Sequence, residues 1–381
     1  MSEPVYPLQC VLDEDTGEIK VNYDTKADDR YNLYDYSYTS SNSKFARNHW
    51  INYAKDVMKK LNLSESSKVV EVGSNDGFLS EQFKKLGCDV IGVDPSNYMA
   101  MLAMDRGIKT YTTLFGLESS EKVRSDFGKA DLIVANNVFN HTNDTEDFLK
   151  GVYNLISTDG VFVYELPYWY NTIKDKKFDQ IYHEHVSYYT VKSSYELLKQ
   201  YGFDIIDVEV VNYHGGSLRV YAKRCRMMDG PDTSFPEVFD VKLNDKVATM
   251  IKEEEDFGLF EEETYKEFMK ELHSKKNKFM KEIYDIKSQG YSIIGVGAAA
   301  KGNTFLNFYN LDNTMLDYVT DTSEHKQGKY TPLTRIPIVG DEIFSEYDKV
   351  YALILSWNIS DIIKENLKKI NDKIEFLSLP E

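Results

Sequence analysis

The chain has 381 residues, 42% of them hydrophobic, which is ample for two or three domains of roughly 100–200 residues each. A net charge of −17 argues against nucleic-acid binding through a basic face. Cys10, Cys88 and Cys225 are too scattered for a disulfide framework or a zinc knuckle; with no run of about 18 apolar residues and no leader-like start, a soluble cytoplasmic protein is expected.

Residues 1–43 are polar and predict short extended segments and loops. Phe45, Trp50, Ile51, Ala54, Val57, Met58 and Leu61 recur at helical spacing, which predicts a helix over 44–62. Short apolar strands then alternate with helices: strands at 68–72, 89–93, 108–111, 131–136 and 161–166, helices at 78–86, 97–106 and 144–156. That alternation predicts an α/β, mostly parallel, doubly wound sheet. A helix at 191–201 and two strands at 203–212 and 217–223 suggest an antiparallel edge on the same sheet. Residues 240–289 read as one or two long amphipathic helices connecting domains, with the charge run 253–256 on a solvated face. A second α/β unit begins with a strand at 291–296, followed by strands at 316–320 and 349–355 and a helix at 360–369. The expected organisation is a reduced N-terminal lobe (1–43), a domain over 44–225, a helical connector (226–289) and a C-terminal Rossmann-like domain (290–381).

Two glycine-rich βα turns stand out, one in each α/β unit, and argue for two nucleotide-binding lobes. The first is Glu71-Val-Gly-Ser-Asn-Asp-Gly77, where Gly73 and Gly77 allow close backbone approach. Its spacing is not the dinucleotide GxGxxG pattern, and Glu71 and Asp76 would repel a pyrophosphate. Carboxylates there suit a ligand with a cationic amino-acid tail, which favours S-adenosylmethionine over NAD. Asp94, ending the next strand, is placed to bond ribose hydroxyls. Asn137 and His141 follow the strand at 131–136, where ligands of open α/β sheets sit. The second turn, Gly295-Val-Gly-Ala-Ala-Ala-Lys-Gly302, puts Lys301 at a helix start, a phosphate cradle in outline although not a P-loop.

The most telling stretch is Ile181-Tyr-His-Glu-His-Val-Ser-Tyr-Tyr189, which packs two of seven histidines, a glutamate and three tyrosines together. An imidazole titrates near pH ~6.5, so His183 or His185 is suited to take a proton at neutral pH. The spacing is not that of a zinc protease, no cysteine lies near, and no metal is expected. His214-Gly-Gly-Ser-Leu-Arg219 offers either a phosphate-binding arginine or a hairpin with a surface one.

Taken together and in this order, these segments resemble the S-adenosylmethionine-dependent C-methyltransferases of nucleotide-linked 4-keto-6-deoxy sugars, over roughly residues 31–381. The resemblance implies a class I methyltransferase Rossmann-like domain followed by a second Rossmann-like domain. The family's N-terminal zinc cysteines are missing here, and Asn140 replaces the usual alanine before the histidine. It further implies His185 as the base that deprotonates C-3 beside the ketone, with Tyr182 and Glu184 assisting and His141 beside the sugar. Glu71, Gly73, Asn75, Asp94 and Asn137 would hold the cofactor, S-adenosylmethionine. Tyr38, His183, Arg219, Lys301, Asn303 and Lys329 would face the nucleotide-diphosphate sugar. No nucleic-acid or membrane partner is expected, and the chain should be a monomer or weak homo-oligomer. The rival readings are O- or N-methylation of such a sugar, an NAD-dependent sugar-nucleotide oxidoreductase built on the second turn, and a catalytically silent binding subunit.

Overall fold

The computed structural model describes residues 3, 5–23, 25–26, 38–225, 243–377 and 379. They form two compact units, one from Gln9–Tyr170 and His183–Phe260, the other from the described parts of Met1–Leu8, Asn171–Tyr182 and Glu261–Glu381. The division falls inside the Tyr-His-Glu-His motif, between Tyr182 and His183.

The first unit opens with a hairpin of β1 (Cys10–Leu12) and β2 (Ile19–Val21). Helix α1 (Lys44–Leu61) follows, capped by the Ser43 hydroxyl and closed by left-handed Asn62, and buries Trp50, Tyr53, Ala54 and Val57 along one face. Then come β3 (Lys68–Val72), α2 (Phe78–Lys85), β4 (Asp89–Val93), α3 (Asn97–Asp105), β5 (Lys109–Tyr111), α4 (Leu117–Phe127), β6 (Ala130–Asn136), α5 (Thr145–Leu155) and β7 (Ile156–Pro167). Helix α6 (Trp169–Lys174) runs across the division, and β8 (Ser187–Tyr188), α7 (Val191–Gln200), β9 (Phe203–Val211), β10 (Ser217–Arg224) and α8 (Asp245–Asp256) complete the unit.

Its main sheet has the order β5-β4-β3-β6-β7-β10-β9, with β10 antiparallel to both neighbours and the other pairs parallel. This is the expected doubly wound sheet with an antiparallel pairing at one side. Alternation along the strands divides the core between the two faces. Val70, Val72, Ile133 and Ala135 face one apolar layer, and Val69, Leu132 and Val134 the other. A second, three-stranded sheet joins β1, β2 and β8, so the N-terminal hairpin holds the strand that follows His185.

The other unit has α9 (Glu262–Ser288), β11 (Ser292–Val296), α10 (Ala300–Tyr309), β12 (Tyr318–Thr320), β13 (Ile338–Val339), β14 (Val350–Ile354), α11 (Ser360–Ile370) and β15 (Glu375–Leu377). Its five strands are all parallel in the order β13-β12-β11-β14-β15, with the crossover between β11 and β14. Helix α9 buries Phe279, Ile283 and Ile286 against this sheet's core.

One residue departs from the polar-face expectation. Glu254 is fully buried, accepting from the Tyr168 hydroxyl at 2.7 Å and from the Val191 and Lys192 amides at 2.6 and 3.1 Å. It caps α7 from a neighbouring helix, an N-terminal anion site that the local charge run conceals. No helix among the described residues is long and apolar enough to cross a membrane.

Candidate active site

The carboxyl ends of β3, β4, β6 and β7 carry the candidate site, as expected for an open parallel sheet. The chain leaves β3 through Gly73 and Gly77, both left-handed, with Asn75 between them also at positive φ. A Cβ on Gly73 would lie 2.0 Å from Val138, and one on Gly77 2.8 Å from Ala103. Glycine is therefore required for the turn to close on the neighbouring loop and on α3, as well as for its dihedrals. Three carboxylates gather here. Glu71 accepts from the Ser80 hydroxyl, and burial pushes its carboxyl up to about 8, with Asp76 and Asp94 adding to the rise. Asp94 accepts from the Asn75 and Ser96 amides, both at 2.9 Å; burial raises its carboxyl and those bonds oppose the rise. Asp76 accepts from the Ser40 and Ser41 hydroxyls and from Arg106. The Asn75 side chain donates to the Tyr38 carbonyl at 3.0 Å and accepts from the Ser40 amide at 2.8 Å. The turn thus grips the segment that carries Tyr38, bringing together two residues singled out separately in the sequence.

At the end of β6, Asn137 takes a left-handed conformation and donates its amide to the Glu165 carbonyl at 2.7 Å. The loop then turns through a short helix ending at His141. The Val186 amide donates to the Asn140 carbonyl at 2.9 Å, which lays the His-Glu-His segment along this loop. His185 is 3% exposed, and its ring centroid lies 5.1 Å from that of His141. The His183 carbonyl accepts from the Thr25 hydroxyl at 3.1 Å. His141, His183, Glu184 and His185 share the first unit, whereas Tyr182 belongs to the other.

Arg219 departs from the phosphate expectation. Its Nε and Nη2 lie 2.8 and 2.7 Å from Glu165 Oε2, and the residue is 4% exposed. A buried carboxylate on an apolar strand needs such a partner, and a phosphate would have to displace it. The other Glu165 oxygen is 2.7 Å from His49 Nε2. Burial alone would raise the Glu165 carboxyl, but His49 and Arg219 together hold it below the usual range. Neither His49 nor Glu165 was singled out in the sequence. The one available signal was an acid inside the apolar run Val161-Phe-Val-Tyr-Glu-Leu166.

In the other unit, Lys301 opens α10 beyond the end of β11, and Trp357 follows β14. The Lys301 ammonium is buried without a hydrogen-bond partner among the described residues and lies 4.9 Å from the centre of the Trp357 ring. Burial lowers Lys301 to about 8, and Asp179 opposes that shift. Asp179 itself accepts from Trp357 Nε1 at 2.5 Å. The Asn303 side-chain oxygen accepts from Asn307 at 3.1 Å, and Lys329 is exposed on a turn whose carbonyl accepts from the Ile338 amide. Asp321, at the dinucleotide-ribose position, already accepts from Ala298, Ser323 and Lys326.

Residues 46–208 match the profile of a methyltransferase domain, and residues 212–377 that of a C-methyltransferase C-terminal domain. C-methyltransferase NovU of Streptomyces niveus is 31% identical over 88% of this chain and 77% of its own length. This chain belongs to the S-adenosylmethionine-dependent C-methyltransferase family. A ubiquinone biosynthesis O-methyltransferase of Pelagibacter ubique (strain HTCC1062) is 28% identical over 25% of this methyltransferase and 39% of its own length. Among solved structures, magnesium protoporphyrin IX methyltransferase (ChlM) from Synechocystis PCC 6803 with bound SAM is similar at 16% identity and a TM-score of 0.36, over 50% of this chain and 87% of that one. The PH0226 protein from Pyrococcus horikoshii OT3 is similar at 19% identity and a TM-score of 0.40, over 49% and 94%. The methyltransferase takes S-adenosylmethionine as its cofactor.

Proposed function

We propose that the chain methylates C-3 of a nucleotide-linked 4-keto-deoxy sugar. The observation that carries the reading is the pair of buried imidazoles, His185 against His141, on loops at the carboxyl end of the first unit's sheet. Carbon methylation needs a carbanion, and a ketone at C-4 acidifies the hydrogen on C-3. His185 takes that hydrogen as a proton, and the C–H electron pair passes into an enolate whose oxygen was the ketone. His141 lies beside the base, and Tyr182 and Glu184 assist it. Glu71, Gly73, Asn75, Asp94 and Asn137 hold S-adenosylmethionine, which supplies an electrophilic methyl group to the enolate carbon. Tyr38 and His183 face the sugar, and Lys301, Asn303 and Lys329 face the nucleotide diphosphate. Arg219 has no part in binding it, because Glu165 occupies it. A buried ammonium without a hydrogen-bonding partner suits a phosphate oxygen.

The test has two arms. Protein, cofactor and a panel of thymidine-, guanosine- and cytidine-linked 4-keto sugars are incubated, and methyl incorporation is followed by mass spectrometry. Separately, deuterium uptake at C-3 is measured without cofactor. Carbon methylation requires both signals. Methyl incorporation with no exchange at C-3 would mean O- or N-methylation and sink the proposal.

A further inference from the structure

We infer that Asp179, acting through the Trp357 indole, is a positioning residue for Lys301. The inference rests on the reading that Lys301 faces the nucleotide diphosphate. A buried ammonium is ordinarily paired with a carboxylate. Lys326 of the same unit follows that rule: its ammonium lies 3.0 Å from Asp321, and a donor is spent there. Lys301 does not. Its ammonium lies 4.9 Å from the centre of the Trp357 ring and has no hydrogen-bond partner among the described residues. The negative face of an indole attracts a cation without taking a conventional hydrogen bond from it, so the N–H groups stay available to a ligand.

The indole is itself held in place. Trp357 opens a short turn after β14 and is only half-buried, so packing alone does not fix its ring. Its Nε1 donates to Asp179 Oδ2 at 2.5 Å. Asp179 is 4% exposed and lies in the short helical turn Phe178–Gln180. Helix α10 grips that turn at two points. The Phe178 ring packs on Phe308 with centroids 4.6 Å apart, and the Thr304 hydroxyl donates to the Ile181 carbonyl at 3.1 Å. Phe308 and Thr304 belong to the same helix as Lys301. The contacts therefore close a circuit: α10 holds the turn, the carboxylate of the turn holds the indole, and the face of the indole confines the ammonium that α10 carries. A lysine side chain has four torsions to lose on ordering, and an ammonium already confined loses less of that freedom when a ligand arrives.

The test is a double-mutant cycle on the full chain, read by calorimetry. Thymidine, guanosine and cytidine diphosphates are titrated first, and the one that the parent binds most tightly becomes the probe. Asp179→Ala and Trp357→Phe are each expected to weaken the probe roughly three- to tenfold. The KM of the matching 4-keto sugar nucleotide should rise by the same factor, with kcat and S-adenosylmethionine affinity near the parent values. The double variant should be no worse than either single one. Asp179→Asn, whose amide oxygen still accepts from Nε1, should restore most of the loss; a carboxylate acting by its charge alone would not be replaced by an amide. Should Asp179→Ala fail to fold, Trp357→Phe and Asp179→Asn decide. Additive losses, Trp357→Phe with the parent affinity, or Asp179→Asn as weak as Trp357→Phe would overturn the inference. The reading of Lys301 itself would survive them as long as Lys301→Met loses the probe. A parent that binds none of the three diphosphates, or Lys301→Met that binds the probe as the parent does, would remove that reading and this inference with it.

Discussion

At the turn after β3, three carboxylates converge on the backbone, whereas at the turn after β11 an ammonium is buried without a hydrogen-bond partner among the described residues. Both turns join a central parallel strand to a helix, and both use glycine at positive φ, Gly73 in one and Gly297 in the other. The backbone plan is shared, so the difference lies in the side chains brought in from elsewhere. Glu71 and Asp94 come from the strands, Asp76 from the turn itself; Lys301, Trp357 and Asp179 come from three separate segments. The same backbone plan thus carries acidic side chains at one turn and a buried ammonium at the other, and the proposed function gives the first the cationic ligand and the second the anionic one. Each turn can be perturbed alone.

The largest expected effect separates chemistry from both turns. His185→Gln should lower turnover by about 10²–10⁴-fold while both ligands still bind, as measured by calorimetry for each. Loss of S-adenosylmethionine binding in this variant would make His185 part of the first turn's task rather than the base. Next, Lys301→Met should raise the KM for the nucleotide sugar by about 10–100-fold, the worth of a charge-assisted hydrogen bond, with cofactor affinity unchanged. The reverse perturbation, Asp94→Asn, should weaken cofactor binding by roughly tenfold and leave nucleotide-sugar binding alone. If Lys301→Met and Asp94→Asn affected the two ligands equally, the division of labour between the turns would be wrong.

The sheet was largely legible because its strands are apolar and its helices have clear faces. Helix α4 was not, since Leu117-Glu-Ser-Ser-Glu-Lys-Val-Arg-Ser-Asp-Phe127 buries only Ser120 and Val123 and so shows no apolar stripe. Strand β7 starts earlier than read, at Ile156, because exposed polar residues and a shifted register with β6 interrupt its pattern. Strands β13 and β15 are only two and three residues long, below what periodicity can register. At the site, residues clustered in sequence were visible, and residues clustered only in space were not. His185 and Glu71 announce themselves in short motifs, and Arg219 in the His-Gly-Gly-Ser-Leu-Arg run, whereas His49 on α1 and Glu165 on β7 meet it only in space. Glu254 misled for a related reason: a charged run says nothing about which one of its members a neighbouring helix will claim.

The smallest effect also tests the polarity contrast most directly, through pH. Burial lifts the Glu71 carboxyl from 4.5 to about 8, so the folded chain keeps this proton to higher pH than the unfolded chain does. Its contribution to stability is full below about pH 4.5 and is lost as pH rises towards 8. Burial lowers Lys301 from 10.5 to about 8, so the folded chain sheds that proton first and stability recovers between those values. The first turn therefore weakens the fold as pH rises, and the second strengthens it at higher pH. Each site has a limiting slope of about 1.4 kcal/mol per pH unit. Glu254, raised by burial to about 7, contributes in the same direction as Glu71, so the interval from pH 7 to 8 isolates Glu71 most cleanly. Urea unfolding of the parent and of Glu71→Gln across that interval should show a flatter dependence in the variant, and Lys301→Met should flatten the limb between pH 8 and 10.5. Subtracting each variant from the parent cancels groups common to both, the cysteines included. Parallel curves for Glu71→Gln and the parent would mean that the first turn does not hold its proton against the solvent, and the contrast between the two turns would lose its electrostatic basis.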